Sequence, residues 1–216
     1  MNDIPLIQVL PMPSKHIEPS KVSGMKSGLL AWGNRSTAIK YGNKFDVLVI
    51  CADDFDFTHR LFVENVLDKR ANGSKTKVYF LPVSEVTDGP LSTANYLTQN
   101  IHTLELAKNN KIVRRKVSPP KQSNEVIYNS LFKKQKVLVV CLAGKNRSTS
   151  TIIRFLMLNS LKKDREDEPT ILKKYRKRSW RYNDWVEYFS KLRTFEIFPI
   201  NDIQLTILDN EIMSLR

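Results

Sequence analysis

The stretch Val137-Leu-Val-Val-Cys141-Leu-Ala-Gly144-Lys-Asn-Arg147-Ser148-Thr-Ser-Thr-Ile-Ile-Arg-Phe-Leu-Met157 decides how this chain is read. Residues 137–140 are consecutive apolar side chains, mostly β-branched, and predict a buried strand. Ser148 to Met157 opens with hydroxyls and continues with apolar residues, which predicts a helix. The loop between them therefore ends at a helix N-terminus. Consecutive backbone N–H groups curling around one point, together with the positive end of a helix dipole, form an anion site from main chain alone. Gly144 lets that loop turn tightly.

The same positive potential favours the thiolate of Cys141, and the thiolate is the nucleophilic form. Arg147 offers a planar fork to two phosphate oxygens and holds charge that develops there during an in-line displacement. The Ser148 hydroxyl is placed to donate to the Cys141 sulfur when that sulfur leaves as a thiolate. The expected phosphate-binding residues are thus Leu142, Ala143, Gly144, Lys145, Asn146 and Arg147, with Cys141, Arg147 and Ser148 carrying chemistry. The competing reading, an ordinary buried thiol at the end of a core strand, leaves Gly144 and Arg147 unexplained.

The pattern Cys141-x-x-Gly144-x-x-Arg147-Ser148 resembles the signature of the cysteine-dependent protein tyrosine phosphatase superfamily. Arg147-Ser-Thr-Ser-Thr-Ile-Ile-Arg-Phe-Leu-Met157 further resembles the helix that follows the arginine in its dual-specificity branch. At ordinary residue usage, a chance match to the signature arises at on the order of one cysteine in a thousand. The resemblance implies a single α/β domain of dual-specificity phosphatase type, with a central, mostly parallel sheet flanked by helices. It also implies hydrolysis through a cysteinyl-phosphate without a cofactor. One position departs from the family: Val140 stands where a histidine usually orders the loop.

Length and composition set the frame for this reading. The 216 residues, 41% of them hydrophobic, suit one domain with a substantial core. No apolar run is long enough for a membrane helix, and Met1-Asn-Asp-Ile-Pro does not open like a targeting leader. Two cysteines argue against a disulfide framework and for a reducing compartment, with the cytoplasm expected and the nucleus as the alternative. His16, His59 and His102 show no ligand-like spacing, so no metal is expected. Thirty-five Lys and Arg against twenty-two Asp and Glu give a net charge of +13. That excess suits polyanionic partners: a phosphorylated protein, an RNA 5′ end or an anionic surface.

Along the chain, four prolines within residues 1–20 predict an extended arm. The catalytic domain is expected over 21–198 and a C-terminal extension over 199–216. Within that domain, Ser27 to Lys40 and Phe45 to Ile50 resemble the opening of a dual-specificity domain: strand, short helix, buried strand. Residues 58–69, 91–110 and 124–134 predict helices, and Val78 to Val83 a strand. A helix is expected to begin at Pro169, and another near Asp184, capped by Asp184 with Glu187. The basic segment at 108–121 lies in what reads, against the family, as an insertion of about two dozen residues between acid loop and nucleophile, and a substrate-facing loop is expected there.

A leaving alkoxide or phenoxide needs a proton, and family members supply it from an aspartate in the loop after an Ile-Pro-Val segment. Leu81-Pro82-Val83 resembles that segment, and the matching position holds Glu85, with Asp88 three residues on. Glu85 and Asp88 stand as rivals for the general acid. Asp53, Asp54 and Asp56 follow a strand whose end faces the same sheet edge, although a helix cap explains them more simply. Cys51 reads as an ordinary buried thiol in preference to a trap for oxidised Cys141.

The function expected is hydrolysis of phosphotyrosine and phosphoserine or phosphothreonine on proteins. The alternatives are an RNA 5′-phosphatase of the same fold and a catalytically weak phospho-binding protein, the latter suggested by Val140 and by the absence of aspartate at the acid position.

Overall fold

The computed structural model describes residues 9–11, 29–51, 66, 76–80, 102–106, 112–116, 123–145, 147–160 and 180–192. In chain order these contain β1 (Val9–Pro11), β2 (Leu30–Gly33), α1 (Arg35–Tyr41), β3 (Val47–Ile50), β4 (Lys77–Phe80), β5 (His102–Leu106) and β6 (Ile112–Lys116). They continue with α2 (Ser123–Phe132), β7 (Val137–Val140), α3 (Arg147–Ser160) and α4 (Tyr182–Leu192). The strands form one sheet in the order β1-β2-β7-β3-β4-β5-β6. Neighbours from β1 to β4 run parallel, and the hairpin β5–β6 is added antiparallel at the far edge. The chain is a single α/β domain with a mostly parallel sheet flanked by helices.

Four-residue strands made almost wholly of apolar side chains belong in the middle of a parallel sheet, where both faces are covered. Alternation along β2, β3 and β7 divides the core in two. Leu30, Trp32, Val47, Val49, Val137 and Val139 pack under α2, α3 and α4. Ala31, Leu48, Ile50, Leu138 and Val140 face the other way, towards Ala38 of α1. Trp32, Phe155, Trp185 and Phe189 are fully buried on the first face, and burial of each such ring stabilises the fold by about 1.5 to 3 kcal/mol. Trp32 meets Phe189 edge-on, with centroids 4.8 Å apart.

This topology places the site. The link from β2 leaves through α1 on one face, whereas the link from β7 leaves through α3 on the other. Where adjacent parallel strands send their connections to opposite faces, a crevice opens at their C-terminal ends. Cys141 follows β7 directly, at that crevice.

Several expectations need correction. The helix predicted over 91–110 is not formed at its C-terminal end, because His102–Leu106 is β5, paired with β4 and β6. Ladder hydrogen bonds on two sides outweigh the helical spacing of that segment. Part of the basic insertion is likewise strand rather than loop, with Ile112–Lys116 forming β6. Asp184 does not cap α4 together with Glu187. It lies within the first turn and accepts the Arg181 N–H through Oδ2 at 2.7 Å, while Glu187 pairs with Lys191. In the N-terminal arm, Val9–Pro11 pairs with Leu30–Trp32, and Pro11 sits on the edge strand, where its missing N–H costs least. The C-terminal extension and the helix expected from Pro169 lie outside the described residues, as does the helix at 58–69 apart from Val66. Among the described residues no helix is long and apolar enough to cross a membrane.

Candidate active site

β7 ends at Val140, and the chain bends through Cys141 to Lys145 before α3 begins at Arg147. The Gly144 N–H donates to Cys141 Sγ at 3.2 Å, and Ser148 Oγ lies 3.3 Å from the same sulfur. The sulfur thus accepts one backbone N–H and lies beside a hydroxyl at the head of a helix. Arg147 and Ser148 are both buried in the first turn of α3, and Cys141 is 2% exposed. Gly144 has φ +70°, and a Cβ there would meet the Gly33 carbonyl carbon and oxygen at 2.7 Å. Only glycine satisfies both the backbone angle and the close approach.

The outer side of the loop is fastened by neighbouring elements. The Arg35 N–H donates to the Leu142 carbonyl at 3.2 Å, and Thr149 Oγ1 donates to the Gly144 carbonyl at 3.4 Å. A trans peptide points its N–H opposite to its C=O, so these two anchors turn the Ala143 and Lys145 N–H groups away from α1 and α3. The Gly33 carbonyl receives the Cys141 N–H and the Ser148 hydroxyl, both at 3.4 Å. It ties the two ends of the loop to β2.

Gly33, Asn34 and Arg35 are the positioning residues that sequence reasoning missed. Their local signal is the capping box at the start of α1. Asn34 Oδ1 accepts the Thr37 N–H at 2.9 Å, and Thr37 Oγ1 accepts the Asn34 N–H at 3.4 Å. This fixes the β2–α1 turn against the cysteine loop, which no reading of residues 141–148 alone reveals.

Cys51 sits one position beyond β3, in register with Cys141 one position beyond β7. Both thiols are free and buried. Cys51 Sγ lies 3.4 Å from Thr151 Oγ1, which in turn donates to the Arg147 carbonyl at 2.8 Å. Burial pushes the Cys51 thiol from 9.0 up to about 12. The Thr151 contact opposes that rise, the nearby Cys141 adds to it, and Arg147 opposes it in turn. Cys51 is therefore a protonated thiol that packs beneath the arginine turn.

Of the expected site residues, the structure brings together Cys141, Leu142, Ala143, Gly144, Lys145, Arg147 and Ser148. Leu142 and Ala143 are exposed at the rim and Lys145 is half-buried. Asn146, Glu85, Asp88, Asp53, Asp54 and Asp56 lie outside the described residues. The strands that lead to these acids are described: β3 ends at Ile50 and β4 at Phe80, register partners on the sheet edge that carries Cys141. Val140 is buried on the α1 face of the sheet.

No family model and no curated protein matches the sequence. Among solved structures, the chain is similar to the one described as the crystal structure of PTPMT1, at 13% identity over 84% of this chain and 83% of that one, with a TM-score of 0.43.

Proposed function

We propose that this protein is a cysteine-dependent phosphatase that removes phosphate from phosphotyrosine and phosphoserine or phosphothreonine on proteins. The observation that carries the reading is the Cys141 sulfur, held by the Gly144 N–H at 3.2 Å and within 3.3 Å of Ser148 Oγ, in a loop that runs into the buried Arg147. A structural thiol needs none of these donors. A thiolate beneath a phosphate needs all of them.

In the first step the Cys141 thiolate attacks phosphorus opposite the ester oxygen. The S–P bond forms and the P–O bond breaks. Loop amides and the Arg147 guanidinium hold the equatorial oxygens, and Glu85 or Asp88 protonates the departing oxygen. In the second step the same carboxylate takes a proton from water, the water oxygen attacks phosphorus, and the sulfur leaves as thiolate. Ser148 then donates to that sulfur across the 3.3 Å separation. No metal or cofactor enters this scheme.

The test is turnover of a small aryl phosphate that vanadate inhibits and that Cys141→Ser abolishes. Loss of activity in Glu85→Gln or in Asp88→Asn identifies the acid. Absence of turnover, with phosphate binding that survives Cys141→Ser, assigns a phospho-binding protein instead. A second reading, an RNA 5′-phosphatase, is favoured by the net charge of +13 and by Lys145 beside Arg147 in the loop. Phosphate release from 5′-triphosphorylated RNA that exceeds release from phosphopeptides selects it.

A further inference from the structure

The strand register places the basic insertion at the same sheet edge as the cysteine loop. Val140 is paired with Ile50, Ile50 with Phe80, Phe80 with His102 and His102 with Lys116. These five residues form one row across the sheet. Two antiparallel pairings in succession turn β6 back to the direction of β7, so both strands end at that edge. At about 4.8 Å per strand, four steps separate Lys116 from Val140 by about 19 Å.

The register partners at the β6 end carry no acid. Arg114, Arg115 and Lys116 are partnered by Leu104, Thr103 and His102, and the one acid of β5, Glu105, is opposite Val113. β6 is the last strand of the sheet, and among the described residues no strand pairs with its outer edge. Lys108, Lys111 and Lys121 flank it in sequence, and residues 102–121 contain no acid apart from Glu105. They also contain no Phe, Tyr or Trp. Single-stranded nucleic acids are held by basic grooves interleaved with aromatic stacking platforms, so a basic stretch without aromatics fits carboxylates better than bases.

We propose that the C-terminal end of β6, centred on Arg114, Arg115 and Lys116, is a docking site for an acidic segment of the phosphoprotein substrate, lying about six residues from the phosphorylated side chain. The spacing follows from about 19 Å crossed by extended chain at about 3.3 Å per residue. The inference rests on the phosphatase reading above for what occupies the cysteine loop. The acidic partner is steered by the field of the strand end, and its contribution falls with added salt.

The experiment uses the full chain and phosphopeptides that carry a glutamate cluster either two or six residues from the phosphoresidue, on each side in turn. With the cluster six residues away on one side, kcat/KM is expected to rise about 10-fold over the peptide with no cluster, and to return to that baseline at high salt. The triple variants R114E/R115E/K116E and R114Q/R115Q/K116Q should abolish this gain through KM and leave aryl phosphate turnover unchanged. The neutral variant covers the case in which charge reversal unfolds the hairpin. Fluorescence anisotropy of the same peptides on Cys141→Ser protein reads docking separately from chemistry, so a failure of catalysis and a failure of docking are distinguishable. A gain that is indifferent to spacing, or one that survives both triple variants, overturns the proposal. So does a loss confined to RNA substrates in those variants, which assigns the strand end to nucleic acid.

Discussion

At the scale of single residues, the site is controlled by groups whose chemistry depends on how closely backbone can approach. Gly144→Ala forces a Cβ to 2.7 Å from the Gly33 carbonyl while holding φ at +70°. Turnover of an aryl phosphate is expected to fall by at least about 100-fold as the loop amides lose their aim. Stability is expected to drop by about 1 to 3 kcal/mol, read as a lowered Tm. Cys51 makes a pH prediction. Its folded pKa, about 12, lies above the unfolded value of 9.0, so between those limits the unfolded chain has lost a proton that the folded chain keeps. The stabilisation is whole below pH 9 and is lost as the pH climbs towards 12, at about 1.4 kcal/mol per unit. Urea midpoints measured across that window should fall more steeply for the native chain than for Cys51→Ala; parallel curves contradict the assignment.

At the scale of elements, legibility follows how much each segment depends on its own residues. Val137–Val140 and Arg147–Ser160 are readable because an apolar β-branched run and an apolar helical face specify their states locally. β5 is not, because His102–Leu106 becomes a strand through partners at Tyr79–Phe80 and Ile112–Lys116 that no local period announces. The same limit hid the Gly33–Arg35 turn: its capping box is visible in sequence, but its role against Gly144 exists only once β2 and β7 are neighbours. The end of α2 carries a prediction of its own. Lys134, exposed, adopts φ 57° as its N–H reaches the Leu131 carbonyl and the Gln135 N–H reaches the Ser130 carbonyl. A side chain in that conformation costs about 1 to 2 kcal/mol, partly offset by the extra freedom of glycine in the unfolded chain. Lys134→Gly is therefore expected to raise stability by about 0.5 to 1 kcal/mol without changing turnover, checked by thermal melting. A lowered Tm would show that the Lys134 side chain itself supports the turn.

At the scale of the whole molecule, the sheet order sets what must come together before anything works. β2 and β3 are separated by a short stretch of sequence, yet they never touch as strands; the slot between them belongs to β7. Both flanks of that slot are apolar and would lie open to water without it. A fragment ending at residue 122 is expected to show no cooperative thermal transition by circular dichroism, and a cooperative one would mean that β2 and β3 close on each other without β7. During synthesis on the ribosome, the first half of the polypeptide emerges as an unclosed book whose spine is still to be made. Non-local closure of this kind is slow and leaves sticky surface waiting. The nucleophile travels on the segment that closes it, so a nascent chain should acquire its chemistry at the moment it becomes compact, and not before.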